Sequence, residues 1–157
     1  MNKKLLRIFI TIGICMFSGV IGSVATQTSV NTWYLSIVKP SFNPPNWLFG
    51  PVWTILFVLM GVSAGIVWNH GVYHKWVKTA LYHFGFQLLL NITWSLVFFG
   101  LQEIFWGLLV VLSLFVLLLF TYKWFKVVNV ISAYLLIPYI LWVVFASVLN
   151  FSIWQLN

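Results

Sequence analysis

The stretch IFWGLLVVLSLFVLLLFTY, residues 104–122, contains no charged residue over its whole length. A helix that crosses the hydrocarbon core of a bilayer needs about 20 predominantly apolar residues. The apolar residues follow one another without a break, whereas the strands of a membrane barrel alternate apolar and polar residues over short segments. The stretch therefore predicts a transmembrane α-helix.

The composition of the whole chain extends this prediction. Of its 157 residues, 62% are hydrophobic and 6% are charged, whereas about 25% of the residues of a typical soluble domain are charged. Most of the apolar surface must therefore face lipid. We predict a single all-α membrane domain covering residues 1–157, a five-transmembrane-helix bundle. The predicted helices cover approximately residues 5–26, 48–68, 79–99, 104–122 and 130–154.

The positions of the charges support a count of five helices. In a five-helix bundle, the N-terminus and the second and fourth connections between helices lie on the same side of the membrane. The basic residues on that side are Lys3, Lys4, Arg7, Lys75, Lys78, Lys123 and Lys126. The other side has Lys39 and the sole acidic residue, Glu103. Cytoplasmic loops carry the excess of lysine and arginine, so we expect a cytoplasmic N-terminus and an external C-terminus. No arginine- and serine-rich leader is evident, which favours a bacterial inner membrane.

One alternative concerns the first helix. The segment MNKKLLRIF precedes an apolar run, as in a secretory signal peptide that is removed from the mature protein. The run is long for such a signal, and the charge distribution is explained with this helix retained.

The residues that could carry chemistry are few. The single cysteine, Cys15, excludes an internal disulfide and a cysteine-based metal site. His70 and His74 have no evident third partner, so no metal site is expected. Glu103 is the only carboxylate side chain, which excludes catalysis by paired carboxylates. No catalytic set is recognised and an enzymatic activity is not favoured. Nucleic-acid binding is not expected either, because the basic residues flank apolar helices.

Polar and aromatic side chains inside the helices suggest a binding site. His83, Gln87, Asn91 and Ser95 recur every four residues and share one helix face. This stripe would either form hydrogen bonds between helices or supply polar anchors inside a ligand cavity. Three tryptophans inside or just within the helices would suit a flat, largely apolar ligand. These tryptophans are Trp53, Trp94 and Trp142.

The first long connection is unusual for a linker. Residues 39–53, KPSFNPPNWLFGPVW, contain four prolines and two tryptophans. Proline fixes φ and removes a backbone donor, so we predict a structured loop, either a stiff link or a lid. In the following helix, Gly61 and Gly65 form a small-residue pair suited to close helix packing, within the bundle or across a dimer.

Three blocks of residues together resemble one family. The first block is Trp33-Tyr34, Lys39-Pro40, Pro44-Pro45, Phe49 and Pro51-Val52-Trp53. The second is Gln87, Asn91-Ile92-Thr93-Trp94-Ser95 and Phe98-Phe99-Gly100. The third is Pro138-Tyr139, Trp142, Phe145-Ala146, Leu149-Asn150 and Trp154. Over essentially its whole length, the chain resembles the TspO/translocator protein family, the tryptophan-rich sensory proteins.

The resemblance implies a fold, a ligand and a site. It implies a five-helix bundle, commonly a homodimer, that binds protoporphyrin IX or haem as a ligand and has no obligatory cofactor. The implied pocket lies among the helices under the first loop, and some members also accept sterols and synthetic ligands. The implied ligand-binding residues are Tyr34, Pro45, Trp53, Phe57, Gln87, Asn91, Trp94, Trp142, Ala146 and Leu149. The implied lid residues are Trp33, Lys39, Pro40 and Pro44.

The implied function is that of a sensor, regulator or carrier of tetrapyrroles. Two alternatives come from the same family: a light-dependent porphyrin oxidase in which Trp53 and Trp142 take part, and a transporter of porphyrins or other amphipathic molecules. The chain departs from the family's animal pattern at the sterol motif, where Phe151 and Gln155 replace a tyrosine and a basic residue. Tight sterol binding is therefore not expected. The small-residue dimer motif of the third helix is replaced by Tyr82 and Phe86.

Overall fold

The computed structural model describes residues 2–157 and confirms the five-helix bundle. Within these residues, five helices are long and apolar enough to cross a membrane, and no strand occurs. The five spans are Lys3–Val30, Asn46–Asn69, Lys75–Gly100, Ile104–Val128 and Val130–Leu156.

The described residues form seven α-helices and two short segments of other helical types, and all of them except the short helix Trp33–Ser36 lie within the spans. In chain order the α-helices are α1 (Lys3–Val30), α2 (Trp33–Ser36), α3 (Phe49–Asn69), α4 (Lys75–Ser95), α5 (Ile104–Val128), α6 (Val130–Tyr134) and α7 (Ile137–Leu156). A 3₁₀ turn, Asn46–Leu48, leads into α3, and a π-helical turn, Leu96–Gly100, follows α4.

Several helices run beyond the predicted ranges. We predicted starts at residues 5 and 79 for the first and third spans, but α1 begins at Lys3 and α4 at Lys75. The fourth span was predicted to end at residue 122, but α5 continues to Val128. Hydropathy marks only the part of a helix that lies in hydrocarbon, whereas backbone hydrogen bonds continue among polar residues beyond it.

The fifth span is interrupted between α6 and α7. Asn129 caps the N-terminus of α6, because its side-chain oxygen accepts a hydrogen bond of 3.0 Å from the backbone N–H of Ser132. Pro138 lies in the first turn of α7, where its missing N–H leaves no hydrogen bond unmade. The interruption is therefore a helix start placed inside a membrane span. Tyr139, which follows directly, is fully buried in the bundle.

The first half of α1 packs closely on α3 through two glycines. A Cβ atom added to Gly61 would overlap the backbone of Ile12, and one added to Gly65 would lie 2.6 Å from Cα of Ile8. The hydroxyl of Thr11 donates a hydrogen bond of 2.6 Å to the carbonyl oxygen of Gly61. These glycines therefore serve packing within the bundle.

The second half of α1 leans away from α3 and towards α4. Gly22 faces Ser95, whose hydroxyl oxygen would lie 3.0 Å from an added Cβ. Near the end of α1, the Ser29 hydroxyl donates a hydrogen bond to the carbonyl oxygen of Phe99 in the π-helical turn. This change of partner leaves space beside the start of α3.

The two ends of the bundle differ in composition. We call the end with the α1 start, the 70–74 turn and Asn129 the basic end. The opposite end, with residues 31–48, residues 101–103 and the end of α7, is the loop end. Seven of the eight basic residues belong to the basic end.

The close packing of α1 on α3 gives a first prediction. Replacing Gly61→Ala should lower the thermal unfolding midpoint in detergent and destabilise the protein by about 1–3 kcal/mol, the usual cost of overpacking. Gly85→Ala is the matched control, because a Cβ there meets nothing within 4 Å. Equal midpoints for the two variants would contradict the packing described here.

Candidate functional site

The larger cavity of the bundle lies between α1, the start of α3 and the end of α4, and we call it the lateral cavity. Its volume is about 470 Å³. It extends along α1 from Met16 to Val30, about 21 Å at 1.5 Å per residue. Val20, Gln27 and Trp47 on its edge are exposed, so the cavity opens on the side of the bundle. Further residues on its wall are Gly19, Ser23, Thr26, Asn46, Phe49, Trp53, Thr54, Phe57, Asn91, Trp94, Ser95 and Phe99.

A much smaller cavity lies beneath the proline-rich loop, and we call it the sub-loop cavity. Its volume of about 20 Å³ is enough for about one water molecule. Aromatic rings from the loop, from α3, from the π-helical turn and from α7 fill the space around it. It is lined by Tyr34, Phe49, Trp53, Trp94, Phe98, Phe99, Trp142, Phe145, Ala146, Leu149, Asn150 and Ile153.

The structure divides the implied ligand-binding residues between these two cavities. Phe57 and Asn91 line the lateral cavity, whereas Tyr34, Trp142, Ala146 and Leu149 line the sub-loop cavity. Trp53 and Trp94 line both. Pro45 and Gln87 line neither.

Trp53 and Trp94 form the partition between the cavities. Their ring centroids are 6.2 Å apart, and Trp53 also stacks on Phe57 at 5.6 Å with an interplanar angle of 29°. The indole N–H of Trp94 donates a hydrogen bond of 3.2 Å to the side-chain oxygen of Asn150. Asn150 is itself fixed by a hydrogen bond from its amide to the carbonyl oxygen of Ile104. The buried indole is thus satisfied, and its ring orientation is set by α7.

Trp53 and Trp142 contact each other directly. Their centroids are 6.4 Å apart and their planes are almost perpendicular, at 89°. A flat ligand therefore cannot lie between these two rings in this conformation. The Trp53 ring instead stacks on Phe57, and both rings line the lateral cavity.

The polar stripe of α4 forms hydrogen bonds between helices, and two of its residues also line a cavity. Buried Tyr139 donates a hydrogen bond of 2.9 Å to the side-chain oxygen of Gln87 and accepts one of 2.9 Å from the side-chain amide of Asn91. These bonds tie α4 to α7. Asn91 and Ser95 also line the lateral cavity, whereas the fully buried amide nitrogen of Gln87 has no hydrogen-bond partner among residues 2–157.

Sequence reasoning missed the contribution of α1 to the site. Gly19, Ser23 and Thr26 line the lateral cavity, and Gln27 lies at its edge. The first three are spaced at i, i+4 and i+7, which places them on one helix face. This small and polar face was the available signal, but it gives no indication of which helix it meets.

The π-helical turn supplies two further residues that were not assigned to the site. Phe98 and Phe99 are both buried, with centroids 4.9 Å apart. Phe98 stacks on Trp94 at 5.7 Å, and Phe99 lines both cavities. The wider turn brings both rings onto the interior side, a local geometry often found at functional sites.

Side chains hold the proline-rich loop where backbone pairing is sparse. The Tyr34 hydroxyl donates a hydrogen bond of 2.6 Å to the side-chain oxygen of Asn43, and Asn43 donates to the carbonyl oxygen of Pro44. Burial raises the pKa of Tyr34 to about 12, so the phenol stays neutral and remains a donor at neutral pH. These bonds fix the shape of the loop from within the chain.

Lys39 is part of this internal support. Its ammonium donates hydrogen bonds to the carbonyl oxygens of Tyr34 at 2.6 Å and Ile37 at 2.9 Å. It also lies 5.1 Å from the centre of the Tyr34 ring. The structure therefore places this ammonium on backbone carbonyls of the loop.

The other residues for which the resemblance implies a lid role lie around the same loop. Half-buried Trp33 packs edge-to-face on Phe98 at 5.6 Å, and the carbonyl oxygen of Pro40 accepts a hydrogen bond from the backbone N–H of Asn43. At the end of α7, the side-chain amide of Asn157 pairs with both backbone groups of Val38, at 3.0 and 2.9 Å. The loop is thereby fixed to the last helix.

Comparison with known proteins identifies the family. The profile of the TspO/MBR family matches residues 11–155. The chain belongs to the TspO/MBR family.

Relatives in this family cover nearly the whole chain. It is 43% identical over 157 residues to the tryptophan-rich protein TspO of Chlorobaculum tepidum, covering 100% of this chain and 99% of the relative. It is 40% identical over 155 residues to the tryptophan-rich protein TspO of Archaeoglobus fulgidus, covering 98% of this chain and 99% of the relative. The translocator protein of Bos taurus is 33% identical over 140 residues, with 88% and 83% covered. Family membership and the five apolar helices make the chain an integral multi-pass membrane protein of the TspO/MBR family.

The role of Lys39 gives a second prediction. Replacing Lys39→Met should release the carbonyls it binds and increase hydrogen–deuterium exchange in residues 34–45 by about tenfold or more, since hydrogen bonds to charged groups contribute about 1.5–3 kcal/mol. Mass spectrometry of peptic fragments in detergent measures this exchange. Lys126→Met removes the same charge at the basic end and should leave the loop unchanged. Unaltered exchange in Lys39→Met would show that the lysine does not hold the loop.

Proposed function

We propose that the protein binds a tetrapyrrole, such as protoporphyrin IX or haem, in the lateral cavity, and acts as a sensor, regulator or carrier of it. The observation that supports this most directly is the cavity itself, which has an aromatic inner wall and a polar edge. Its volume of about 470 Å³ lies within the range of about 300–1,000 Å³ typical of small-molecule sites.

The inner wall of the cavity suits a flat conjugated ring. Trp53, Phe57, Trp94 and Phe99 contribute aromatic surface to it. Aromatic rings stack favourably on such faces, at about 0.5–1.5 kcal/mol per pair beyond the burial of apolar area. A macrocycle that contacts several rings at once would gain most of its affinity here.

The polar groups of the cavity suit the rest of such a ligand. Asn91 and Ser95 lie at its inner side, where they can bond to a ring edge, whereas Gln27 and Asn46 lie towards the loop end. None of the described lining residues is a lysine or arginine, and Lys39 is engaged with the loop. The ligand's carboxylates would therefore extend past the amide groups towards the membrane surface.

This arrangement gives a prediction for porphyrin binding. Trp53→Ala and Phe57→Ala should each weaken protoporphyrin IX binding by about tenfold, as expected for the loss of one stacked ring and its buried area. Ser23→Phe should weaken it similarly by filling the cavity without removing a core side chain. Titrations that follow the absorption band of the porphyrin give the dissociation constants.

Two controls locate the ligand. Trp106→Ala removes an exposed tryptophan of α5 that lines neither cavity, and it should leave the dissociation constant unchanged. Trp142→Ala removes a ring that lines the sub-loop cavity and not the lateral cavity. If Trp142→Ala weakened binding while Phe57→Ala and Ser23→Phe did not, the ligand would lie under the loop. Unchanged affinity in all these variants would reject binding in either cavity.

We also propose a cytoplasmic N-terminus in a bacterial inner membrane, because basic residues gather at the end that contains it. In intact cells, a membrane-impermeant maleimide should label Ser41→Cys at the loop end. It should label Lys126→Cys at the basic end only after lysis. Both positions are exposed, and the native Cys15 is fully buried, so the unmodified protein gives the background. Labelling of Lys126→Cys before lysis would reverse the orientation.

A further inference from the structure

The basic end of the bundle carries charge that no acidic side chain can neutralise. Lysines begin α1 and α4, and Lys123 and Lys126 lie in the last turns of α5. The only acidic side chain in the sequence, Glu103, directly precedes α5 at the loop end. A negative partner for these lysines must therefore come from outside the chain.

Between α4 and α5, this charge is organised around two tryptophans. Trp76 and Trp124 stack across the two helices, with centroids 5.4 Å apart and an interplanar angle of 18°. The ammonium of Lys75 lies 5.8 Å from the Trp76 ring, and that of Lys123 lies 5.8 Å from the Trp124 ring. The stacked pair is thus flanked by one cation from each helix, within the distance at which a cation is attracted to an aromatic face.

Further side chains continue this face from the tryptophan pair towards the middle of the bundle. His83 lies on the same side of α4 and packs against Trp124 and Phe120, each with a centroid distance of 6.2 Å. Its Nδ1 is engaged with the carbonyl oxygen of Thr79 at 2.8 Å. The Phe120 ring is half exposed. The face therefore presents charge at the membrane edge and apolar surface deeper in.

We propose that this α4–α5 face is a binding site for an anionic phospholipid. The phosphate lies between Lys75 and Lys123 over the tryptophan pair, and one acyl chain lies along His83 and Phe120. Basic pockets between transmembrane helices bind anionic headgroups in this way. A zwitterionic headgroup fits less well, because its ammonium group finds no carboxylate at this end and meets two lysines.

The test uses the purified full-length protein in detergent, with bound lipids resolved by native mass spectrometry. It is titrated with phosphatidylglycerol and with phosphatidylcholine of the same acyl chains. The unmodified protein should bind phosphatidylglycerol about tenfold more tightly, since each lysine near a headgroup favours the anion. Lys75→Gln/Lys123→Gln should reduce this preference to about twofold or less.

A matched variant distinguishes a specific lipid site between α4 and α5 from a general effect of net charge. Lys3→Gln/Lys4→Gln removes the same charge from the same end, on α1, and should keep the preference. The proposal would be overturned if both double variants lost the preference for phosphatidylglycerol equally. It would also be overturned if the unmodified protein bound the two lipids equally tightly. Added inorganic phosphate at millimolar concentration should not displace the lipid. Displacement by phosphate alone would show that the site binds an anion without using the acyl chain, and it would contradict the proposal.

Discussion

The close contact between the first half of α1 and α3 determines where the bundle has space. Lipid tails are as apolar as leucine side chains, so helices in a bilayer associate through close packing and hydrogen bonds. Gly61 and Gly65 allow that approach, and the Thr11 hydroxyl bonds to the Gly61 carbonyl oxygen. With α1 fixed there, its second half contacts Phe57 of α3 and then meets Ser95 and Phe99 of the third span. The lateral cavity is the volume left between these two paths.

The residues around this cavity show why a polar pattern alone does not identify a site. Asn91 holds Tyr139 by a hydrogen bond and also lines the cavity. The Trp94 indole is fixed by Asn150 while its ring contributes to both cavities. A buried polar group must be satisfied whether or not a ligand binds. The same side chains therefore stabilise the bundle and shape the surface that a ligand would contact.

Much of the fold could be predicted from the sequence, because hydropathy and charge position act over whole helices. The division of the site into two cavities could not be predicted. The motif residues were expected around one pocket under the loop, but Trp142 packs edge-to-face on Trp53, and the larger space lies on the other side of that ring. The lean of α1 depends on which helices its small residues meet, at Gly22 for example. Such pairings depend on tertiary packing, which no local pattern specifies.

The two ends of the molecule satisfy their polar groups in different ways. At the loop end, Lys39, Asn43 and Asn157 bind backbone groups that the prolines and turns leave without helical partners. Those side chains are occupied within the protein, so the loop is pre-organised and a ligand need not order it. At the basic end, the ammonium groups of Lys75 and Lys123 lie beside the rings of Trp76 and Trp124. Because an ammonium without an acidic partner gains most from an anion at a partly desolvated surface, the lipid site that we propose lies at this end and not at the loop end.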